Sequence, residues 1–120
     1  SPVTFDNAGD LLVGDDCRLL RVSGGVVTTV AGPASNQCVD DGDGGSAASA
    51  HLSKLSGIAV AGNGDIYLTG GCRIRRIRAG IITTVAGDGV CGYNGDGPAG
   101  SIHLSDAAGI VVGKECDANL

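Results

Sequence analysis

The sequence is nearly without aromatic side chains: its 120 residues include no Trp, no Met, one Phe and two Tyr. A core must therefore be built from Val, Ile, Leu and Ala, and the loops offer little surface on which sugar rings could stack. Glutamate is limited to Glu115, so the acidic balance comes from aspartate, which favours turns. Together with 22 glycines, these absences indicate a turn-rich β protein.

Long apolar runs and a basic surface are also lacking. No stretch approaches the roughly 18 apolar residues of a membrane-spanning helix, so we expect no membrane span. A net charge of −5 disfavours nucleic-acid binding, which requires a basic face. We interpret the arginines as solvated positions on two short strands rather than as a phosphate site. They are Arg18, Arg21, Arg73, Arg75, Arg76 and Arg78.

The chain contains an internal repeat with a 55-residue offset. Residues 9–13, 17–22 and 27–32 match residues 64–68, 72–77 and 82–87 in the same order. Residues 109–112 open a third copy. Repeats of this length with strand-like content indicate propeller blades or a solenoid, because one unit cannot bury its own apolar face.

Each unit is predicted to be a four-stranded antiparallel meander. In the second unit the strands are expected at 58–60, 66–69, 73–78 and 81–86, with a hairpin turn at Asn63-Gly64 and a helical turn at 99–104. The first unit follows the same plan and begins with a strand at 3–5.

Four of the five cysteines occupy repeated positions. Cys17 corresponds to Cys72, and Cys38 to Cys91, so each unit has one cysteine before its third strand and one after its fourth. In a meander both positions lie at the same end of the blade, which favours Cys17–Cys38 and Cys72–Cys91 disulfides and an oxidising compartment. Zinc binding is the alternative, although no CxxC pair is present. Cys116 has no equivalent, so it is unpaired or bonds outside this chain.

Residues 80–99 read GIITTVAGDGVCGYNGDGPA, and residues 72–77 read CRIRRI. These segments resemble the extended repeat of the NHL family of β-propellers. The loop at 35–41 departs from the family pattern. The resemblance implies an all-β fold of four-stranded antiparallel propeller blades, with two complete repeats plus one strand.

The repeat divides the chain into a first blade with its exit loop at 1–56, a second at 57–108, and the start of a third at 109–120. A closed propeller needs about four to eight blades. We therefore expect either a segment of a larger propeller or a protomer that assembles with copies of itself through its sheet edges.

Acidic and histidine positions give two further hypotheses. The loop around Asp41 and Asp43 has the acidic density of a calcium site but lacks the ordered ligand frame, so an aspartate that caps the following turn is the other interpretation. His51 and His103 are repeat equivalents that would either hold a metal such as zinc or lie as polar surface groups. We expect no cofactor, with calcium or zinc as the alternative.

No serine-nucleophile motif, defensible carboxylate pair or phosphate loop is present. The prediction is therefore a non-catalytic structural or protein-interaction module, extracellular or at the cell surface. One alternative is a protomer of a self-assembling extracellular ring or filament. The other is a fragment of a metal-dependent propeller enzyme of the lyase or lactonase type.

Overall fold

The structure is a computed structural model that describes residues 2–32, 38–92 and 95–99. It contains two four-stranded sheets in which the strands follow chain order and neighbouring strands are antiparallel. The first sheet consists of β1 (Val3–Phe5), β2 (Leu11–Asp15), β3 (Arg18–Ser23) and β4 (Val26–Ala31). The second consists of β5 (Gly57–Val60), β6 (Ile66–Gly70), β7 (Arg73–Arg78) and β8 (Ile81–Ala86). The predicted all-β fold of four-stranded antiparallel units is thus confirmed.

The two sheets repeat each other in detail. The pairing of β3 with β4 shifts register between Leu19 and Leu20, and β7 with β8 does so at the equivalent point. The first hairpin of each unit turns at a glycine with positive φ, +86° at Gly9 and +95° at Gly64, where a side chain would be strained. Strands β5 and β6 each extend one residue beyond the prediction, because Gly57 and Gly70 are still paired with their neighbours.

One aliphatic core joins the two units. Leu12 and Leu19 of the first sheet and Leu68 and Ile82 of the second are almost completely buried in a single apolar cluster. The connection between the sheets contributes Leu52 to the same cluster and includes a 3-10 turn at Ala47–Ser49. The units therefore share their core, as expected when one repeat cannot bury its apolar face alone.

The first strands of the two units lie side by side. Strand β1 is adjacent to β5, and the Asn7 side-chain amide donates to the carbonyl oxygens of Ala61 (2.9 Å) and Gly62 (3.1 Å). Strands β4 and β8 form the opposite edges of their sheets. In the part of the chain that the structure describes, no helix is long and apolar enough to cross a membrane.

Candidate functional site at the junction of the two repeats

The segment that leaves the first sheet pairs with the outer edge of the second sheet. We call residues 38–53 the first exit loop. Gly44 N–H donates to the Ile82 carbonyl (2.7 Å), Ile82 N–H donates to the Gly45 carbonyl (3.1 Å), and Ala47 N–H donates to the Gly80 carbonyl (2.8 Å). The loop thereby covers β8, and the Ile82 side chain is fully buried.

Arg75 lies at the centre of this junction and is only 2% exposed. Its Nε and Nη2 donate to Asp43 Oδ1 at 3.1 and 2.7 Å. Its Nη1 donates to Asp40 Oδ1 (3.2 Å) and to the His51 carbonyl (2.7 Å), and Nη2 also donates to the Asp41 carbonyl (2.8 Å). An arginine has five N–H donors, so every donor of Arg75 is used to hold the first exit loop.

The two carboxylates that face Arg75 are fixed by further hydrogen bonds. Asp40 accepts from the Ser53 N–H (3.1 Å) and the Ser53 hydroxyl (2.9 Å). Asp43 Oδ2 accepts from the Thr84 hydroxyl (2.5 Å) on β8. Because charge-assisted hydrogen bonds are the stronger ones, this cluster forms a clasp between the first exit loop and the second sheet. We call it the Arg75 clasp: Asp40, Asp43, Arg75 and Thr84, with the Asp41 and His51 carbonyls.

The prediction that the arginines are solvated is wrong for Arg75. Alternation along a strand assigns side chains to two faces, but it cannot show that the first exit loop covers one of them. The equivalent residue in the first unit is Leu20, so the repeat conceals the charge. A guanidinium in place of leucine within otherwise matching strands, together with three aspartates at 40–43, is the signal that could have revealed the pair.

The weak metal candidates in the first exit loop are engaged by other groups. Asp41 accepts hydrogen bonds from the His51 backbone N–H (2.9 Å) and is bonded to His51 Nδ1 (2.8 Å). Asp43 faces the Arg75 guanidinium, which stands where a cation bound to that carboxylate oxygen would lie. Among the described residues, no group of three or more metal-ligating side chains is gathered in one place. His103 lies outside the described residues.

The prediction that an aspartate of this loop caps the following turn is also wrong. Ser46 occupies the N-cap of the 3-10 turn and makes no side-chain capping bond. The Asp41 and Asp43 side chains bond to His51, Arg75 and Thr84 instead.

Two disulfides tie the exit loops to the sheets from which they emerge. Cys17 is bonded to Cys38 and Cys72 is bonded to Cys91, which are the pairs that the repeat positions favour. The first bond fixes the start of the first exit loop to the turn before β3. That loop is therefore held covalently by the first sheet and through the Arg75 clasp by the second. Cys116 lies outside the described residues.

The carboxylates at the junction titrate below their ordinary value of 3.8. Burial alone would raise the pKa of Asp43, but hydrogen bonds from Thr84 and Arg75 and the nearby guanidinium outweigh it and lower the pKa. The backbone N–H of His51 is the largest cause of the lowered pKa of Asp41, followed by the His51 ring. Both groups therefore bind protons less readily in the folded chain.

Acid is expected to weaken the junction. Because the folded pKa values of Asp41 and Asp43 lie below 3.8, their contribution to stability is fully present above that pH and is lost as the pH falls through the folded values. Urea midpoints measured from about pH 6 down to about pH 2.5 should fall steeply in the acid part of the range. The Asp43→Asn variant should show a shallower acid dependence. An equally steep dependence in that variant would remove Asp43 from this explanation.

The strand order, the shared core and the exit loop that covers the next sheet define a protein made of β-propeller blades. The family model for the teneurin NHL domain matches residues 11–106, so the chain belongs to this family, and the resemblance to NHL repeats is confirmed.

A solved structure of a structural genomics protein of unknown function from Bacteroides thetaiotaomicron is similar, with a TM-score of 0.81 and 18% sequence identity. The match covers 92% of this chain and 29% of that protein, so this chain spans less than a third of its length. At this identity the likeness shows the fold alone. No curated protein matches the sequence.

Proposed function

We propose that this chain acts as a non-catalytic extracellular module, structural or protein-binding, built from NHL β-propeller blades. Family membership supports the proposal, because NHL domains are commonly protein-interaction modules. The observation that carries it is the use of the buried polar groups at the junction: Arg75 spends all five donors on the first exit loop.

A structural role for these groups distinguishes the proposal from the metal-dependent enzyme alternative. Catalytic acids and bases must reach a substrate within hydrogen-bond distance. Here Asp40 is bonded to Ser53 and Arg75, and its side chain is only 9% exposed. Asp43 is neutralised by Arg75, which opposes cation binding at that carboxylate. The site is organised to join two blades.

The extracellular location is proposed from the two disulfides. Disulfides persist in oxidising compartments and are rare in reducing ones. Each bond fixes an exit loop, and the first exit loop makes most of the contacts between the units. We further propose that 1–56 and 57–108 are successive blades and that 109–120 begins another, in a larger propeller or an assembling protomer.

Surface labelling of the native source tests this location. Intact cells would be treated with a membrane-impermeant biotin reagent and a membrane-impermeant protein cross-linker, and the chain recovered under non-reducing conditions for peptide mapping. We expect labelled chain, cross-linked to a protein, with the Cys17–Cys38 and Cys72–Cys91 peptides linked. Recovery only after lysis, with all four thiols reduced, would refute the extracellular proposal.

Self-assembly through sheet edges is the second candidate function. The observation in its favour is that the apolar residues at the start of β4 are open to solvent, Val26 at 60% and Val27 at 58% exposure. Open sheet edges with apolar side chains attract further strands.

A further inference from the structure

Equivalent strands of the two units differ in what covers them. Strands β4 and β8 pair with β3 and β7 in the same register, Val22 opposite Val27 and Ile77 opposite Ile82. Val27 is nevertheless 58% exposed, whereas Ile82 is 0% exposed. The difference arises because the first exit loop lies on β8, while no segment in the described part of the chain lies on β4 in the same way.

The backbone of β4 is prepared for the same pairing. On β8, the N–H and the carbonyl of Ile82 both bond to the first exit loop. Since the register is the same, the N–H and carbonyl of Val27 face away from β3 in the same manner. An edge of this kind pairs readily with an extended segment.

A segment of the required kind recurs in the second unit. Residues 95–99 read GDGPA and correspond to residues 42–47, which read GDGGSA. The N–H groups that bond to β8 belong to Gly44 and Ala47, and their equivalents Gly97 and Ala99 also carry N–H groups. Pro98 takes the place of Ser46, whose N–H makes none of the three bonds between loop and strand. The proline therefore removes no donor that the pairing needs.

The first sheet keeps most of the side chains that receive the loop. Asp43 meets Thr84 at 2.5 Å and Arg73 at 4.0 Å, and the equivalents on the first sheet are Thr29 and Arg18. Leu20 replaces Arg75, so the centre of the surface is apolar. An incoming loop with Asp96 in the place of Asp43 would find a hydroxyl and a guanidinium but no five-donor clasp. Pairing at this surface should be weaker than the junction within the chain.

We propose that the outer edge of β4 binds residues 95–99 of a second copy of this chain. Gly97 and Ala99 of that copy take the places of Gly44 and Ala47, and Val27 becomes covered as Ile82 is. The two surfaces are different, so the contact is head-to-tail and extends into rings or filaments. The inference names the partner in the proposed interaction role and rests on that role.

The test is sedimentation of the oxidised 120-residue chain over a concentration series reaching about 1 mM. The unchanged chain should associate, and Val27→Lys should raise the dissociation constant at least about tenfold, since edge lysines oppose strand pairing. The control Val39→Lys alters a residue that is also exposed but lies outside β4, and it should associate like the unchanged chain.

A second variant tests the opposite surface. Gly97→Pro removes a donor from the loop and leaves β4 intact, so it should not self-associate. Mixed in equal amounts with Val27→Lys, it should form a 1:1 dimer and nothing larger, because each variant retains one of the two surfaces. Circular dichroism matching that of the unchanged chain establishes that both variants are folded.

Three outcomes would overturn the proposal: an unchanged chain that stays monomeric throughout, equal weakening by Val27→Lys and Val39→Lys, or folded variants that do not combine. None of these bears on the extracellular location, which is tested by surface labelling.

Discussion

Replacing Arg75 with leucine, the residue at the equivalent place in the first unit, is expected to lower the free energy of unfolding by about 3–5 kcal/mol. The reason is that removing one partner of a buried ion pair leaves the other partner buried without compensation. Asp40 would remain almost fully buried with its Oδ1 facing leucine. The carbonyls of Asp41 and His51 would also lose their Arg75 donors.

Asp40 accounts for more of this loss than Asp43 does. The Asp43 side chain is 37% exposed, so water can replace part of what Arg75 provides, whereas the Asp40 side chain is 9% exposed. Combining Arg75→Leu with Asp40→Asn should therefore cost less than the sum of the two single changes, because the residues belong to one network.

Urea denaturation of the oxidised chain measures this effect, and Arg78→Leu is the matched control. Arg78 lies on the same strand and bonds to Asp65 at 2.6 Å, but its side chain is 54% exposed. Exposed ion pairs contribute about 0–1 kcal/mol, so the control should change little. If Arg75→Leu and Arg78→Leu have equal effects, the clasp does not hold the units together.

Removing the first disulfide with Cys17→Ser and Cys38→Ser is the second large change, with an expected loss of about 3 kcal/mol. The two cysteines are 21 residues apart in sequence, so the bond closes a loop of ordinary length for this effect. The bond also fixes the start of the first exit loop, and its loss should loosen the Arg75 clasp. The cost of Arg75→Leu should then be smaller in the disulfide-free chain.

The second disulfide provides the control for this prediction. Cys72→Ser with Cys91→Ser removes a bond between residues 19 apart, so a similar loss is expected from loop closure alone. That bond does not hold the first exit loop, and its removal should leave the cost of Arg75→Leu unchanged. Equal coupling of both disulfides to Arg75 would contradict the assigned role of Cys17–Cys38.

The local parts of the fold could be predicted from the sequence. Strands β7 and β8 have the predicted bounds, and β5 and β6 differ by one residue, because hairpins are specified by alternation and by glycine turns over short distances. The cysteine pairs followed from repeat positions. These inferences compare neighbouring residues or equivalent ones.

The junction could not be predicted in the same way. Arg75 and Asp43 are 32 positions apart in the sequence and have no counterpart pair in the first unit, where Leu20 stands. The aspartates were visible, but their density alone does not distinguish a calcium loop, a helix cap and an arginine partner. Only the path of the first exit loop along β8 decides among these, and it is a tertiary feature.

Amide hydrogen exchange, measured by NMR on the dilute monomer, is the most direct test of the account that the first exit loop seals the second sheet. Ile82 and Val27 are equivalent edge residues, and only the Ile82 N–H donates to the loop, at 3.1 Å to the Gly45 carbonyl. The account predicts that the Ile82 amide exchanges slowly, near the rate set by global unfolding, and that the Val27 amide exchanges rapidly. Rapid exchange at both positions would contradict it, because β8 would then be as open as β4.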